Sequence, residues 1–559
     1  MDEAITRALA VAAQLDRALA DPMDERNPAS FHAAVRADRD ARFPRHLCGS
    51  ALAWGLAEYL IPAVSGGRLT SLEEAFALFR VLARRDLTAA TTIAASFLSA
   101  LPVWRDGSQS QRRAVAGLLR EHELMGLPVG EAEQGVDILA REIAAFGDRH
   151  AWRLDGRTSL IDNGSQAAGT TVLARTGDGP TAFLLLRGDG EHWWFQPAHE
   201  AHGLRGGALS RLTLAGVPAG DAQVVGGLGQ GLATAGRTLP VARLLVAALT
   251  LGALDTCLRA ALPYAEGASA APGRDVEGVS VAPGRDVEGV SVAPGRDVEG
   301  VSVAPGRDAA DRGVADRSVA GPAVLAWRLT DAYADLLIGE AVGHELCRTA
   351  REDPHAFAAA SARLACLAAR LAGDAVETLA GALGAPGYRV GIVEKMRRDS
   401  AVVGALADDQ VPPAVPEDDL PPDPFVPVPP ELSWLGPPPA APPPPENGLA
   451  AAARVIGEDG LPGPHAPRLL ELLGFFRARR SGCAHAEAAA ACAAAWMRAR
   501  GRDGYHMCGG WLLLCLRRLA ELLGQEQPED GGVRRVALVR LRKAAEQRRL
   551  FSDHDVELA

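Results

Sequence analysis

The chain has 559 residues, of which 48% are hydrophobic and 23% charged, and its formal net charge is −11. This length exceeds what a single hydrophobic core usually supports, so we expect several domains. The composition is that of a globular protein, and the acidic balance argues against non-specific binding to nucleic acid, which needs clustered lysine and arginine.

The N-terminal segment carries acidic residues throughout and lacks a basic region followed by an apolar stretch. It therefore does not resemble a secretory signal peptide. We also expect no apolar run long enough to cross a bilayer. Together these features predict a cytoplasmic protein.

The hydrophobic pattern divides the first 410 residues into three parts. Apolar residues recur at three- and four-residue spacing in 1–125, which predicts an N-terminal helical domain. Short apolar runs separated by Gly, Asp and Pro predict an antiparallel β domain in 126–232. The helical period then returns in 233–410. The predicted fold is mostly α with a central antiparallel β domain.

A tandem repeat interrupts the second helical part at 268–318. The sequence APGRD begins at four positions spaced 11 residues apart, namely Ala271, Ala282, Ala293 and Ala304. A Pro-Gly pair in every unit excludes an amphipathic helix. A stacked solenoid and a flexible insertion both remain open, and the few valines in each unit favour the flexible insertion.

A Pro-rich linker at 411–446 is expected to be extended, and 447–559 reads as a small appended helical domain. The last helix combines an apolar stripe with several arginines. It could contact a membrane or a partner, but a solvated basic face on a packed helix is the more common situation.

The cysteines do not suggest a disulfide framework. Four of them lie in Ala/Leu-rich helical sequence and are predicted to be reduced core thiols: Cys48, Cys257, Cys347 and Cys366. A second group near the C-terminus includes two histidines: Cys483, His485, Cys492, His506, Cys508 and Cys515. Its spacings match no common zinc pattern, so we predict buried helix residues and no metal site there.

From about Phe43 to Asp399 the sequence resembles the acyl-CoA dehydrogenase family, segment by segment and in order. GLPVGEAEQGVDIL lies where that family has a flavin-wrapping loop, and WRLDGRTSLIDNG resembles the strand and turn that follow. GLRGGALSRLTLAGVPAG and the residues up to LLVAA resemble the passage into the first C-terminal helix. The resemblance implies an α domain, a β domain and a four-helix α domain, with FAD as cofactor and an acyl thioester of CoA or of a carrier protein as substrate.

The two positions where this family carries its catalytic glutamate are both alanine in this chain. VEKMRRD resembles the segment before the more common base, and alignment on it places Ala407 at the base position. Some members carry the base on the first C-terminal helix instead, where this chain has Ala242. Alanine cannot accept the proton that the reaction removes from Cα. Asp408 is the nearest substitute, although its side chain is one methylene shorter than glutamate.

The positions that the resemblance assigns to the cofactor are also altered. Hydroxyl-bearing residues of the wrapping loop are replaced by Gly130 and Val136, and the family's Trp-x-Thr becomes Leu160 and Asp162 around an isoleucine. The family's Gln-x-x-Gly-Gly begins at Glu377, and the 11-residue repeat occupies the place of an Arg-x-x-Phe-Gly segment. The complete set of equivalent positions is Val129, Gly130, Glu131, Val136, Leu160, Asp162, Glu377 and Gly381.

Three functions are compatible with these substitutions. The first is a catalytically impaired subunit in a homo- or hetero-oligomer, because some bacterial members of the family form heterotetramers in which one subunit lacks the base and part of the flavin site. The second is an active FAD enzyme with a relocated base. The third is a non-enzymatic scaffold that binds proteins through the linker and the C-terminal domain.

Overall fold

The computed structural model describes most of the chain outside the repeat and the linker. The described residues are 3–130, 143–148, 150–187, 192–197, 200–265, 322–408, 435, 448–458, 465–479, 482–499, 509–527, 531–552 and 554. The predictions for the tandem repeat, and for the Pro-rich linker apart from residue 435, lie outside this set.

The N-terminal domain is helical, as predicted. Its helices are α1 (Glu3–Ala18), α2 (Phe31–Arg39), α3 (Arg45–Trp54), α4 (Leu72–Arg85), α5 (Leu87–Asp106) and α6 (Gln109–Arg120). Ser71 caps α4 by accepting a hydrogen bond from the backbone N–H of Glu74 at 3.3 Å. Asp86 ends α4 and also caps α5, because its carboxylate accepts the N–H of Thr88 at 2.9 Å.

The β domain forms one eight-stranded sheet. Its strands are β1 (Leu124–Gly130), β2 (Ala144–Asp148), β3 (Ala151–Asp162), β4 (Ala167–Thr176), β5 (Gly179–Leu186), β6 (Trp193–Pro197), β7 (Ser210–Ala219) and β8 (Val224–Val225). The spatial order is β6-β7-β3-β1-β4-β5-β8, and β2 pairs with β3 and β4. Most pairs are antiparallel, as predicted, but β4 runs parallel to β1 and to β2.

A bundle of four long helices follows the sheet. After the short α7 (Gly231–Gly236), its members are α8 (Leu239–Ala265), α9 (Pro322–Glu352), α10 (Pro354–Leu383) and α12 (Ile392–Asp408), with α11 (Ala385–Tyr388) between the last two. α10 packs against the other three long helices. The four-helix α domain predicted from the resemblance is therefore present.

The described part of the C-terminal region contains five more helices: α13 (Gly448–Glu458), α14 (Ala466–Arg477), α15 (Ala484–Ala499), α16 (Gly510–Leu522) and α17 (Gly531–Glu546). Three of them, α15, α16 and α17, pack against α9 of the bundle. Cys492 and Cys515 are buried in this region, and none of the described cysteines forms a disulfide.

Among the described residues, three helices are apolar and long enough to cross a membrane by length and composition alone, so the sequence-based expectation of no such stretch was wrong. They are α5, the continuous stretch Gly231–Ala265 and α10. In α5, 94% of the apolar window is buried inside the chain. The apolar character of this helix is therefore used in packing, because α5 contacts α4, α8 and the sheet.

A buried lysine joins the bundle to the N-terminal domain. Lys395 Nζ on α12 donates to Asp86 Oδ1 at 2.7 Å, to Thr88 Oγ1 at 2.9 Å and to Asp399 Oδ2 at 2.5 Å. Both side chains of the Lys395–Asp86 pair are at most 2% exposed. Burial alone would lower the pKa of Lys395, but the carboxylates of Asp399 and Asp86 outweigh it and hold that pKa above its usual value.

The same stretch of α12 also holds the β domain. Asp399 Oδ1 accepts the backbone N–H of Leu204 at 2.7 Å. Next to it, Arg398 pairs with Asp38 of α2 at 2.6 Å and donates to the carbonyl of His202 at 2.8 Å. We call Asp86, Lys395, Arg398 and Asp399 the interdomain clamp. It connects all three domains that surround the site described below.

Replacing Lys395 with methionine is expected to lower the free energy of unfolding by about 3 to 5 kcal/mol, because two buried carboxylates would lose their shared cation. Arg397→Met is the matched control on the same helix. Arg397 pairs with Glu377, whose side chain is 56% exposed, so its loss should cost about 1 kcal/mol or less. Urea unfolding of the full chain measures both changes, and equal effects would contradict a special role for Lys395.

Candidate functional site

An apolar cavity of about 200 Å³ lies where α5, the sheet and the start of α8 meet. Leu98 and Pro102 of α5, Leu127 and Val129 of β1, and Val246 of α8 contribute to its wall. The three elements are fixed relative to one another by packing of α5 against both β1 and α8. The cavity is therefore a property of the folded scaffold and does not depend on one loop.

The hydroxyl groups on the cavity wall are engaged in structural hydrogen bonds. Ser99 Oγ donates to the carbonyl of Gly126 at 2.6 Å, and Thr171 Oγ1 donates to the carbonyl of Ser99 at 2.9 Å. Thr234 Oγ1 donates to Asp106 Oδ2 at 2.9 Å. These side chains tie α5 to the sheet and to α7.

Ala242 lies on the wall of this cavity, and none of the described residues that line it is Asp or Glu. Asp106 is connected to the cavity wall through its hydrogen bond with the Thr234 hydroxyl group. Its carboxylate also forms an ion pair with Arg237 at 3.3 Å. The structure thus places Ala242, one of the two alanines predicted to replace the base, at a cavity to which the described residues contribute no carboxylate.

Asp162 is an acidic residue on β3, which pairs with the cavity-lining strand β1. It ends β3, and its register partner on β1 is Leu127, which lines the cavity. The side chain is half-buried, and Oδ1 accepts the backbone N–H of Asn163 at 3.2 Å. Burial raises the pKa of Asp162 to about 7, and the hydrogen bond from Asn163 opposes that shift.

Asn163 fixes the position of Asp162. It adopts a left-handed conformation with φ of 60° directly after β3. Its side-chain amide donates to the carbonyls of Thr92 at 2.6 Å and Met125 at 3.2 Å. Sequence reasoning noted Asn163 only as part of a matching turn, whereas the structure shows that it joins β3 to α5.

The remaining predicted site residues are spread over several elements. Val129 lines the cavity, and the backbone of Leu160 pairs with that of Gly130. Glu377 and Gly381 lie on α10 and do not line it. Ala407 and Asp408 are the last residues of α12. Glu131 and Val136 lie outside the described residues.

The described positions do not offer FAD the contacts that the resemblance implies. Leu160 has no indole ring to cover a flavin, and Glu377 is largely exposed and paired with Arg397 at 3.2 Å. Asp162 replaces a hydroxyl with a carboxyl group. In its ionised form this group would repel a reduced, anionic flavin. At these described positions the chain therefore lacks the contacts to FAD that the resemblance implies.

An α domain, a β domain and a four-helix bundle around an apolar cavity define the acyl-CoA dehydrogenase class of folds. The chain is 27% identical over 237 residues to the probable acyl-CoA dehydrogenase FadE25 of Mycobacterium leprae, across 41% of this chain and 61% of that protein. It thus spans about three fifths of the length of the curated relatives it matches. No protein-family model matches the sequence.

Solved structures share the fold. Butyryl-CoA dehydrogenase from Megasphaera elsdenii matches with a TM-score of 0.55 at 17% identity, over 73% of this chain and 97% of its own. An acyl-CoA dehydrogenase from Bacillus anthracis complexed with FAD matches with a TM-score of 0.60 at 15% identity, over 97% of this chain and 91% of its own. Because this second match extends over nearly all of the chain, it includes C-terminal helices. The chain is therefore acyl-CoA dehydrogenase-like in sequence and in fold, and the resemblance predicted from the sequence is confirmed.

Asp162→Asn is expected to change the pH dependence of stability. The raised pKa means that folding favours the neutral carboxyl group, so the wild type loses this stabilisation as the pH rises through about 7. Asparagine stays neutral at every pH. The free energy of unfolding of Asp162→Asn, relative to that of the wild type, should therefore increase by about 1 to 3 kcal/mol between about pH 5 and about pH 8. Asp178→Asn, in the exposed turn after β4, is the control. A stability difference between Asp162→Asn and the wild type that does not vary with pH would contradict the raised pKa of Asp162.

Proposed function

We propose that this chain is an acyl-CoA dehydrogenase-like protein that binds an acyl thioester but does not dehydrogenate it without a partner. The observation that supports this most directly is the cavity beside Ala242, which has no Asp or Glu among the described residues that line it. In the class reaction a carboxylate takes a proton from Cα of the thioester. A positioned base contributes roughly 10²- to 10⁴-fold to such a reaction, and alanine contributes none of it.

The cavity suits part of a substrate. Its volume of about 200 Å³ is below the roughly 300 to 1,000 Å³ that is typical of pockets for drug-sized ligands. Its wall is mainly aliphatic, which favours a short acyl chain over a polar headgroup. The proposed ligand is therefore an acyl thioester of CoA or of a carrier protein, with the acyl chain inside the cavity.

We further propose that the chain acts as the partner of a complete subunit. FAD is the cofactor that the class implies, and the altered contact positions lead us to expect weak binding of FAD by this chain alone. The interdomain clamp supports this proposal. Its buried ion pairs are formed in this chain, although the positions that the resemblance assigns to catalysis and cofactor binding are substituted. The cytoplasmic location stays a prediction from the sequence.

Turnover by the purified chain is the first test. We expect no reduction of an electron-accepting dye above the protein-free background with straight-chain acyl-CoA substrates of different lengths, with FAD added. Dye reduction that continues over many turnovers and scales with protein concentration would contradict the proposal.

The partner role needs a separate test. A complete acyl-CoA dehydrogenase from the same organism, retaining its glutamate, is co-expressed with this chain, and the pair is purified through a tag on this chain. The proposal predicts a complex of fixed stoichiometry whose activity is lost when the glutamate of the complete subunit is replaced by glutamine. Failure of all such candidates to associate would favour the non-enzymatic scaffold.

One observation favours an active enzyme with a relocated base as the second candidate. Asp162 is half-buried beside a cavity-lining strand, and a carboxyl group with a pKa of about 7 is suited to accept a proton at neutral pH. If dye reduction is observed, Asp162→Asn should reduce its rate at least about 100-fold. Asp178→Asn should leave the rate unchanged, and Asp408→Asn tests the base predicted from the sequence.

A further inference from the structure

The segment after α17 packs where α4, α8 and α9 meet. The N–H of Phe551 donates to Asp255 Oδ2 at 3.0 Å, and its carbonyl accepts Arg80 Nη2 at 2.7 Å. The Phe551 ring lies under the guanidinium of Arg259 at 3.9 Å and meets Tyr333 edge to face. These contacts hold Phe551 against α4, α8 and α9.

This segment brings one histidine to two side chains of α9. Glu340 and His344 are four residues apart and therefore lie on the same face of that helix. His554 joins them, and the potential ligand atoms of the three residues all lie within 4.8 Å of one another. The His344 and His554 rings are 5.4 Å apart and nearly perpendicular, in an edge-to-face arrangement.

The three side chains are of types that bind zinc in proteins, namely two imidazoles and one carboxylate. A neutral imidazole and an ionised carboxylate are the ligating forms of these side chains.

We propose that Glu340, His344 and His554 form a binding site for a divalent transition-metal cation, with zinc as the best match. Two histidines and one glutamate with a water as fourth ligand are an established zinc coordination set, and two ligands four residues apart on a helix are a common way to supply it. The ion would join the C-terminal segment to the bundle. This inference does not depend on the proposed function.

Arg80 limits the affinity that we expect this site to have for a divalent cation. Its guanidinium donates to Glu340 Oε1 at 2.8 Å, and the hydroxyl of Ser552 contacts the same oxygen. A carboxylate can ligate a cation through its second oxygen while the first accepts hydrogen bonds. However, the positive charge of Arg80 opposes a divalent cation, so we expect weaker binding than at a closed four-ligand zinc site. The alternative is a polar network that holds the segment without an ion.

The test uses the full chain with its affinity tag removed. Protein is dialysed against a chelator and then against a small excess of Zn²⁺, and bound zinc is measured by mass spectrometry at equilibrium. The wild type should retain about one Zn²⁺ per chain. His554→Gln should weaken binding at least about 10-fold. His355→Gln, an exposed histidine on α10, is the matched control and should bind as the wild type does.

Circular dichroism establishes that each variant is folded, and His344→Asn provides a second variant if His554→Gln is not. In the Co²⁺-substituted wild type, d–d absorption bands in the visible region should appear, and they should be lost in either ligand variant. Absence of zinc retention by the wild type would overturn the proposal. So would unchanged affinity in both folded ligand variants, which would place any bound zinc elsewhere, for example at the C-terminal cysteines.

Discussion

The architecture depends on one buried ammonium group shared by two carboxylates. Lys395 on α12 pairs with Asp86, which is the junction between α4 and α5, and with Asp399, which also holds Leu204 of the β domain. Desolvating these charges is costly, and only complete pairing with hydrogen bonds offsets the cost. The clamp therefore favours a single arrangement of the three domains. That arrangement determines where α5, the sheet and α8 enclose the cavity.

Scaffold and chemistry have diverged separately in this chain. Arg398 and Asp399, which belong to the segment VEKMRRD that resembles the family, are buried and make contacts between domains. In contrast, at the positions that the resemblance assigns to a base and to an indole over the flavin, this chain has Ala242 on the cavity wall and Leu160 on β3. Interdomain contacts are needed by any protein that keeps the fold, whereas a base and flavin contacts are needed only for turnover. This contrast is what the proposal of an impaired subunit explains.

The sequence predicted much of the fold because hydrophobic periodicity and the resemblance agreed. It placed Ala242 and Val129 at the site, and the structure brings both to one cavity. The parallel pairing of β4 with β1 was missed, because residue alternation reports which face a side chain occupies and not the direction of its neighbour strand. The raised pKa of Asp162 comes from burial by tertiary packing. His554 is likewise brought to His344 across more than two hundred residues of sequence, and no local spacing reveals that pair.

A single-turnover experiment tests whether the chain alone can dehydrogenate an acyl thioester. The purified chain is equilibrated with FAD, freed of unbound flavin by gel filtration, and mixed anaerobically with an acyl-CoA while the visible flavin absorption is followed. For an impaired subunit we expect either that no flavin is retained or that the retained flavin keeps its absorption after mixing. Close to one FAD per chain, bleached by an acyl-CoA without any other protein present, would contradict it.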